Sequence, residues 1–275
     1  MNHCKVIALT NQKGGVAKTT TTLNLGAGLA RAGNRVLLID GDSQGNLSQS
    51  LGWEKPDQMA VTLPTIMQSI IDDVPYDPWE GIAHHKEGFD ILPANIELSG
   101  MEFQLYTAMN RENVLKAFLS EVKHEYDYIL IDCMPSLGLA VINAFSAADS
   151  IIIPFEPDAM SVRGIESLMK SIRKVKRFIN PDLKIDGIVF TKVESRTLLT
   201  QEVIDAIATE YGQYIHVFDT QIPKTVRVAE ANAAGKSVYA HDRRCKGAVA
   251  YEQFTREVLE LGRQRETKNK ADWVR

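Results

Sequence analysis

Asn11-Gln12-Lys13-Gly14-Gly15-Val16-Ala17-Lys18-Thr19-Thr20 follows a short apolar run and leads into a helical pattern. A loop that wraps phosphate needs small residues, so that successive backbone N–H groups can point at phosphate oxygens at a helix N-terminus. It also needs a lysine to reach the outer phosphates and a hydroxyl for Mg2+. Lys18 and Thr19 occupy those places, which makes Lys13, Gly14, Gly15, Val16, Ala17, Lys18, Thr19 and Thr20 the candidate nucleotide-binding residues. The match to GxxxxGK(S/T) is imperfect, because Gln12 stands at the first glycine and Ala17 at the second. If position 17 demands positive φ, alanine there costs about 1 kcal/mol. In the following helix Gly26, Ala27 and Gly28 permit close approach to a sheet, and Gly33 sits where a C′ residue belongs.

Working outward, apolar runs of strand length recur at 6–10, 36–40, 89–92, 128–132, 150–154, 185–191 and 214–218. Most are continuous rather than alternating, as expected when helices cover both faces of a sheet. Helical patterns lie between them at 19–32, 95–124 (as two helices), 136–148, 159–179, 200–211, 225–234 and 247–265. This alternation predicts an α/β fold, a doubly wound and mostly parallel sheet with right-handed crossovers. Residues 1–265 read as one domain and 266–275 as a polar tail that frays. Segment 52–88, rich in Pro, Asp and Gly, reads as an irregular surface excursion.

Two further strands end in acid. Leu38-Ile39-Asp40-Gly41-Asp42 closes the second, and Tyr128-Ile129-Leu130-Ile131-Asp132 the fourth. Carboxylates at the carboxyl ends of parallel strands face the ligand crevice. There Asp132 can act on Mg2+ through water. The pair His84-His85 invites a metal reading, but adjacent residues face opposite ways and no acid or Cys stands at ligand spacing, so both read as surface histidines.

Together these elements resemble the deviant Walker A group of P-loop ATPases, ParA, MinD and NifH, whose box reads KGGxGK(S/T)T and whose extra lysine is Lys13 here. The likeness is closest to ParA and Soj partition ATPases. It includes Asp40-Gly41-Asp42-Ser43-Gln44-Gly45-Asn46, similar to DxDxQGN, and Ile222-Pro223-Lys224-Thr225-Val226-Arg227, similar to IPRNVR. The resemblance implies a slow ATPase using ATP and Mg2+, with Lys13, Lys18 and Asp42 as catalytic residues. Lys13 would cross to the partner's nucleotide in an ATP-dependent homodimer, and Asp42 would position the attacking water. Thr19, Asp40 and Asp132 would hold Mg2+, and Pro223 would lie on the adenine side. Basic residues Arg196, Lys224, Arg227 and Lys246 match positions that hold phosphates of non-specific double-stranded DNA, and Lys170 and Lys174 add a basic face to helix 159–179. Release would be stimulated by a ParB-like, centromere-bound partner. Ala17, Ser43, Met134 and Asn232 depart from the family pattern, and Thr191-Lys192-Val193-Glu194 loosely resembles a guanine-reading NKxD box. A membrane-cycling MinD or FlhG-like regulator shares the same engine, as do reductase iron proteins and amide-forming ligases.

Composition sets outer bounds. The 275 residues are 44% hydrophobic and 24% charged, ordinary for a globular chain. Residues 1–150 hold 10 Lys+Arg against 18 Asp+Glu, whereas 151–275 hold 21 against 17, so only one part of the fold is suited to a polyanion. Three scattered cysteines argue against a disulfide framework or a zinc or iron–sulfur site. No run approaches the ~20 apolar residues that span a bilayer, and the start carries neither signal peptide nor helix-turn-helix. A cytoplasmic, nucleoid-associated protein of the short ParA form, without a membrane partner, is the expectation.

Overall fold

A computed structural model describes residues 4–158, 161–194 and 197–272. In chain order the first half runs β1 (Lys5–Leu9), α1 (Lys18–Arg31), β2 (Val36–Gly41), α2 (Asn46–Ser50), α3 (Leu63–Ile71), β3 (Ala83–His85), β4 (Phe89–Leu92), α4 (Leu98–Thr107) and α5 (Val114–Val122). The second runs β5 (Tyr128–Cys133), α6 (Leu139–Ala147), β6 (Ser150–Phe155), α7 (Ser161–Phe178), β7 (Lys184–Phe190), α8 (Leu198–Tyr211), α9 (Val226–Ala233), α10 (Val238–Asp242) and α11 (Lys246–Asp272). The strands form one sheet in the order β3-β4-β2-β5-β1-β6-β7. Every neighbouring pair is parallel except β3, which runs antiparallel along β4.

Side chains alternate across the strands, so each strand feeds two cores. Val6, Ala8, Leu37, Ile39, Ile129 and Ile131 pack under α3 to α8, whereas Ile7, Leu9, Leu38 and Leu130 pack under α1 and α9 to α11. This two-sided burial is why the strands read as unbroken apolar runs. Gly26 brings α1 onto β2: a methyl group there would run into the Leu38 side chain.

Four expectations need correction. Residues 214–218 form no strand; Val217 makes only an isolated bridge to Ile188, and the apolar pattern comes from Ile215 and Phe218 plugging the core beside an exposed Tyr214. Segment 52–88 is more regular than its composition, for it contains α3 and β3. Pro64 there resembles a breaker, but it sits in the first turn, where proline is tolerated, and Thr62 with Thr65 forms a capping box. His85 is buried and stacks on Phe89 at 4.7 Å, while His84 is exposed and bonds Asp90. The polar tail expected from residue 266 is helical as far as Asp272, an extension of α11, and just before it Arg265 reaches the buried carboxylate of Asp186.

Candidate nucleotide-binding site

β1 lies between β5 and β6, so the loop after Leu9 leaves the sheet from an interior strand. The loop is tied down by its neighbours. Thr10 N–H donates to Ile152 O, Asn11 Nδ2 donates to Pro154 O, and Asn11 Oδ1 accepts from Lys13 N–H at 3.0 Å. Val16 is fully buried beneath it. Gly15 adopts φ +76°, a conformation that favours glycine, and Ala17 is forced to φ +61° although it carries a side chain. Position 17 therefore does require positive φ. Ala17 precedes α1, whose first N–H groups open onto a cleft of about 600 Å3.

The cleft wall brings together Gly14, Gly15, Ala17, Lys18, Thr19 and Thr20 with Asp42 and the turn from Met134 to Ser136. Lys18 is only 7% exposed, and its ammonium donates to Lys13 O at 3.1 Å. Burial pulls its pKa below the ordinary lysine value, against the attraction of Asp132. Asp132 is itself buried, and its titration moves the other way, pushed up by burial and then by the neighbouring Asp40 charge. Thr22 Oγ1 donates to Asp132 Oδ1 at 3.4 Å and the Thr19 hydroxyl opposes the upward shift, but Asp132 Oδ2 has no hydrogen-bond partner among the described residues. A buried ammonium facing a cleft favours an anion, and a buried, unpaired carboxylate oxygen favours a cation. The two sit where a phosphate–metal complex would satisfy both.

Asp40 and Asp132 are adjacent in the β2–β5 register, yet they are deployed differently. Asp40 Oδ2 accepts from Ser48 N–H at 2.9 Å and Ser48 Oγ at 2.7 Å, so it anchors the start of α2. Burial pushes Asp40 up to about 6, with the Ser48 donors opposing. Asp42 lies beyond the strand in the cleft wall, and its Oδ1 accepts from Gln44 N–H at 3.0 Å. Among the described residues no three His, Cys, Asp or Glu side chains are grouped to hold a metal ion. Mg2+ takes one or two protein ligands and completes its shell with substrate phosphates and water. Thr19 and Asp132 are residues that could supply them, whereas Asp40, also a metal candidate from the sequence, has one oxygen taken up by Ser48.

Lys13, next to Gly14 of the cleft wall but not itself in it, is paired with Asp158. Pro223 is bridged to Val193, beside Lys192, rather than in the wall itself. Lys192 and Asn232 do line the cleft, and neither was a candidate binding residue in the sequence; only the loose NKxD likeness at 191–194 and the departure from the family pattern at 232 marked them. Of the basic residues, Lys224, Arg227 and Lys246 are exposed and drawn together where the start of α11 meets the start of α9, Gly247 lying against Val228 and Thr225. Lys170 and Lys174 are exposed on α7. Arg196 lies outside the described residues. Several of these cations are already paired, Lys170 with Glu166 at 2.7 Å, Lys224 with Glu194 at 2.5 Å and Arg227 with Glu230 at 2.9 Å. No helix among the described residues is long and apolar enough to cross a membrane.

A strand–loop–helix unit with a buried lysine, a helix-borne threonine and strand-end carboxylates defines a P-loop ATPase. The AAA domain family model matches residues 4–185. The chain is 41% identical over 262 residues to the sporulation initiation inhibitor protein Soj of Bacillus subtilis, covering 94% of this chain and 99% of that one. It is 37% identical over 271 residues to the chromosome partitioning protein ParA of Caulobacter vibrioides, covering 97% and 98%. A crystal structure of cobyrinic acid a,c-diamide synthase from Mycobacterium smegmatis with bound ADP and magnesium superposes with a TM-score of 0.82 at 35% identity, over 94% and 96% of the two chains. The chain belongs to the Soj/ParA family of partitioning ATPases.

Proposed function

We propose that this chain drives DNA segregation as an ATP-switched dimer: it binds Mg·ATP, pairs with a second copy, coats double-stranded DNA without sequence preference, and leaves when a ParB-like partner stimulates a slow hydrolysis. The observation that carries the reading is buried Lys18 in the cleft wall, within the field of a buried Asp132 whose Oδ2 has no hydrogen-bond partner among the described residues. The backbone of residues 14–19 and the Lys18 ammonium hold the phosphates. Thr19 and Asp132 hold Mg2+, which neutralises charge between the outer phosphates. Asp42 orients the attacking water; an ordinary carboxylate is a weak base at neutral pH, so position and charge are its contributions. Lys13 exchanges Asp158 for the partner's nucleotide, making the triphosphate part of the interface. Exposed ion pairs at Lys170, Lys224 and Arg227 are worth little in water, so those cations exchange carboxylates for DNA phosphates readily.

The test is sizing by light scattering with ATP, ADP or no nucleotide, with and without duplex DNA. A dimer with ATP alone and DNA-bound species only with ATP are expected; a constant mass and equal indifference to DNA would refute the proposal. The likeness to a solved synthase favours a second reading, amide formation on the same fold. Its signature is ATP turnover that depends on a metabolite rather than on DNA.

A further inference from the structure

Met134, Pro135 and Ser136 of the cleft wall belong to a link, residues 134–138, that joins β5 to α6. Its own hydrogen bonding is slight. Gly138 N–H reaches Ser136 Oγ at 3.5 Å, longer than an ordinary bond, and Pro135 has no N–H to give. Gly138 occupies the N-cap position of α6 and has no side chain with which to cap it. The cap comes from another helix: Glu102 Oε1 of α4 accepts from Leu139 N–H at 2.8 Å. A β-carbon at position 138 would collide with the Glu102 carboxylate. Glycine is therefore needed there to admit the carboxylate rather than to bend the chain, since its φ is −76°.

Both ends of this contact are firmly mounted. Leu98, Met101 and Leu105 anchor α4 in the core on either side of Glu102. Just beyond the cap, fully buried Asn143 donates to Leu139 O at 3.0 Å and to Arg111 O at 2.7 Å, and accepts from Leu115 N–H at 3.1 Å. The first turn of α6 is thus held from α4, from the α4–α5 link and from α5. A carboxylate at that end also meets the positive pole of the helix. Residues 134–138 hang between this fixed point and the end of β5, so the place of Leu139 sets how the turn lies in the cleft wall. The phosphate loop has separate ties, at Thr10, Asn11 and Val16, and none of them runs through Glu102.

We propose that Glu102 is a positioning residue for ATP hydrolysis: by capping α6 it holds the 134–136 turn in register with the bound nucleotide, although Glu102 itself is not part of the cleft wall. The inference rests on the cleft being the ATP site. Reaction is far more sensitive than binding to misplacement of a wall by a fraction of an ångström, and a turn with few bonds of its own owes its place to the helices that carry it. Loss of the cap leaves the phosphate loop in place and loosens the wall beside it.

Steady-state hydrolysis, titration calorimetry with Mg·ATP and hydrogen–deuterium exchange on the full chain test it. Glu102→Ala should lower kcat about tenfold, the scale of one charge-assisted hydrogen bond, while ATP affinity changes less than about twofold. Glu102→Gln, which keeps an acceptor for Leu139 N–H, should restore most of kcat. Gly138→Ala, which displaces the same carboxylate from the other side, should reproduce Glu102→Ala, and the double variant should be no worse than either alone. Thr62→Ala removes the capping box of α3, outside the cleft wall, and should lower the urea midpoint without touching kcat. Exchange needs no turnover: Mg·ATP should protect both 13–20 and 134–141 in the wild-type chain, and Glu102→Ala should lose the second protection and keep the first. Unchanged kcat with protection of 134–141 retained in Glu102→Ala would mean a cap that serves only the fold, and it overturns this inference alone; so does ATP affinity that falls as far as kcat. A wild-type chain whose residues 13–20 gain no protection from Mg·ATP overturns the proposed function as well.

Discussion

Ala17→Gly should stabilise this protein. Ala17 occupies the left-handed region, φ +61° and ψ 32°, immediately before α1, and its backbone carbonyl accepts from Thr21 N–H, so the conformation is fixed by the helix start. An L-residue in that region carries about 1–2 kcal/mol of strain that glycine escapes. Glycine gives back about 0.4–1 kcal/mol through the greater freedom of the unfolded chain. The net gain is about 0.5–1 kcal/mol. With an unfolding entropy of about 2.1 cal/mol/K per residue over 275 residues, it corresponds to a rise in Tm of about 1–2 °C. Urea unfolding followed by circular dichroism reads the free energy directly, and an unchanged m-value shows that the same surface is exposed in both proteins. A midpoint that falls on substitution would refute the reasoning, because it would mean that the methyl group of Ala17 packs more favourably than its backbone is strained.

Asp186→Ala should cost about 2–3 kcal/mol, read as a lower urea midpoint at constant m. The fully buried carboxylate holds Lys5, Ser150 and Arg265, and the loss falls short of the 3–5 kcal/mol typical of broken buried pairs because Lys5 and Arg265 retain 18% and 27% exposure through which to reach water. Asp42→Ala should keep ATP binding while abolishing turnover, trapping the nucleotide-bound dimer on DNA; loss of ATP binding in this variant would remove Asp42 from its assigned role. DNA affinity should fall roughly a thousandfold between 50 and 200 mM salt if about six phosphates are contacted, and Lys224→Ala should flatten that slope by about one contact per subunit. A slope indifferent to Lys224 would move the DNA face elsewhere.

The sheet was legible because its causes are local. A parallel strand buried on both faces must be apolar at every position, and 36–40, 89–92 and 128–132 carry that signature directly, matching β2, β4 and β5 closely. Where burial is one-sided, the same signature misleads: 214–218 supplies core plugs without joining the sheet. The phosphate loop was equally legible, since small residues, a lysine and a threonine in sequence are the chemistry itself. What stayed hidden depends on partners far along the chain. Nothing near Lys192 or Asn232 reveals that they lean on residues 15 and 20, contacts 177 and 212 positions apart. Asp40 and Asp132 make the same point at close range. Both are strand-end aspartates on adjacent strands, and the pattern around them is alike. One has both lone-pair directions of an oxygen taken up by Ser48, eight residues on, whereas the other keeps an oxygen without a partner among the described residues. Which of two equivalent carboxylates is satisfied within the fold and which is left open is decided by the donor that arrives at each, and a donor's arrival is a property of the folded chain.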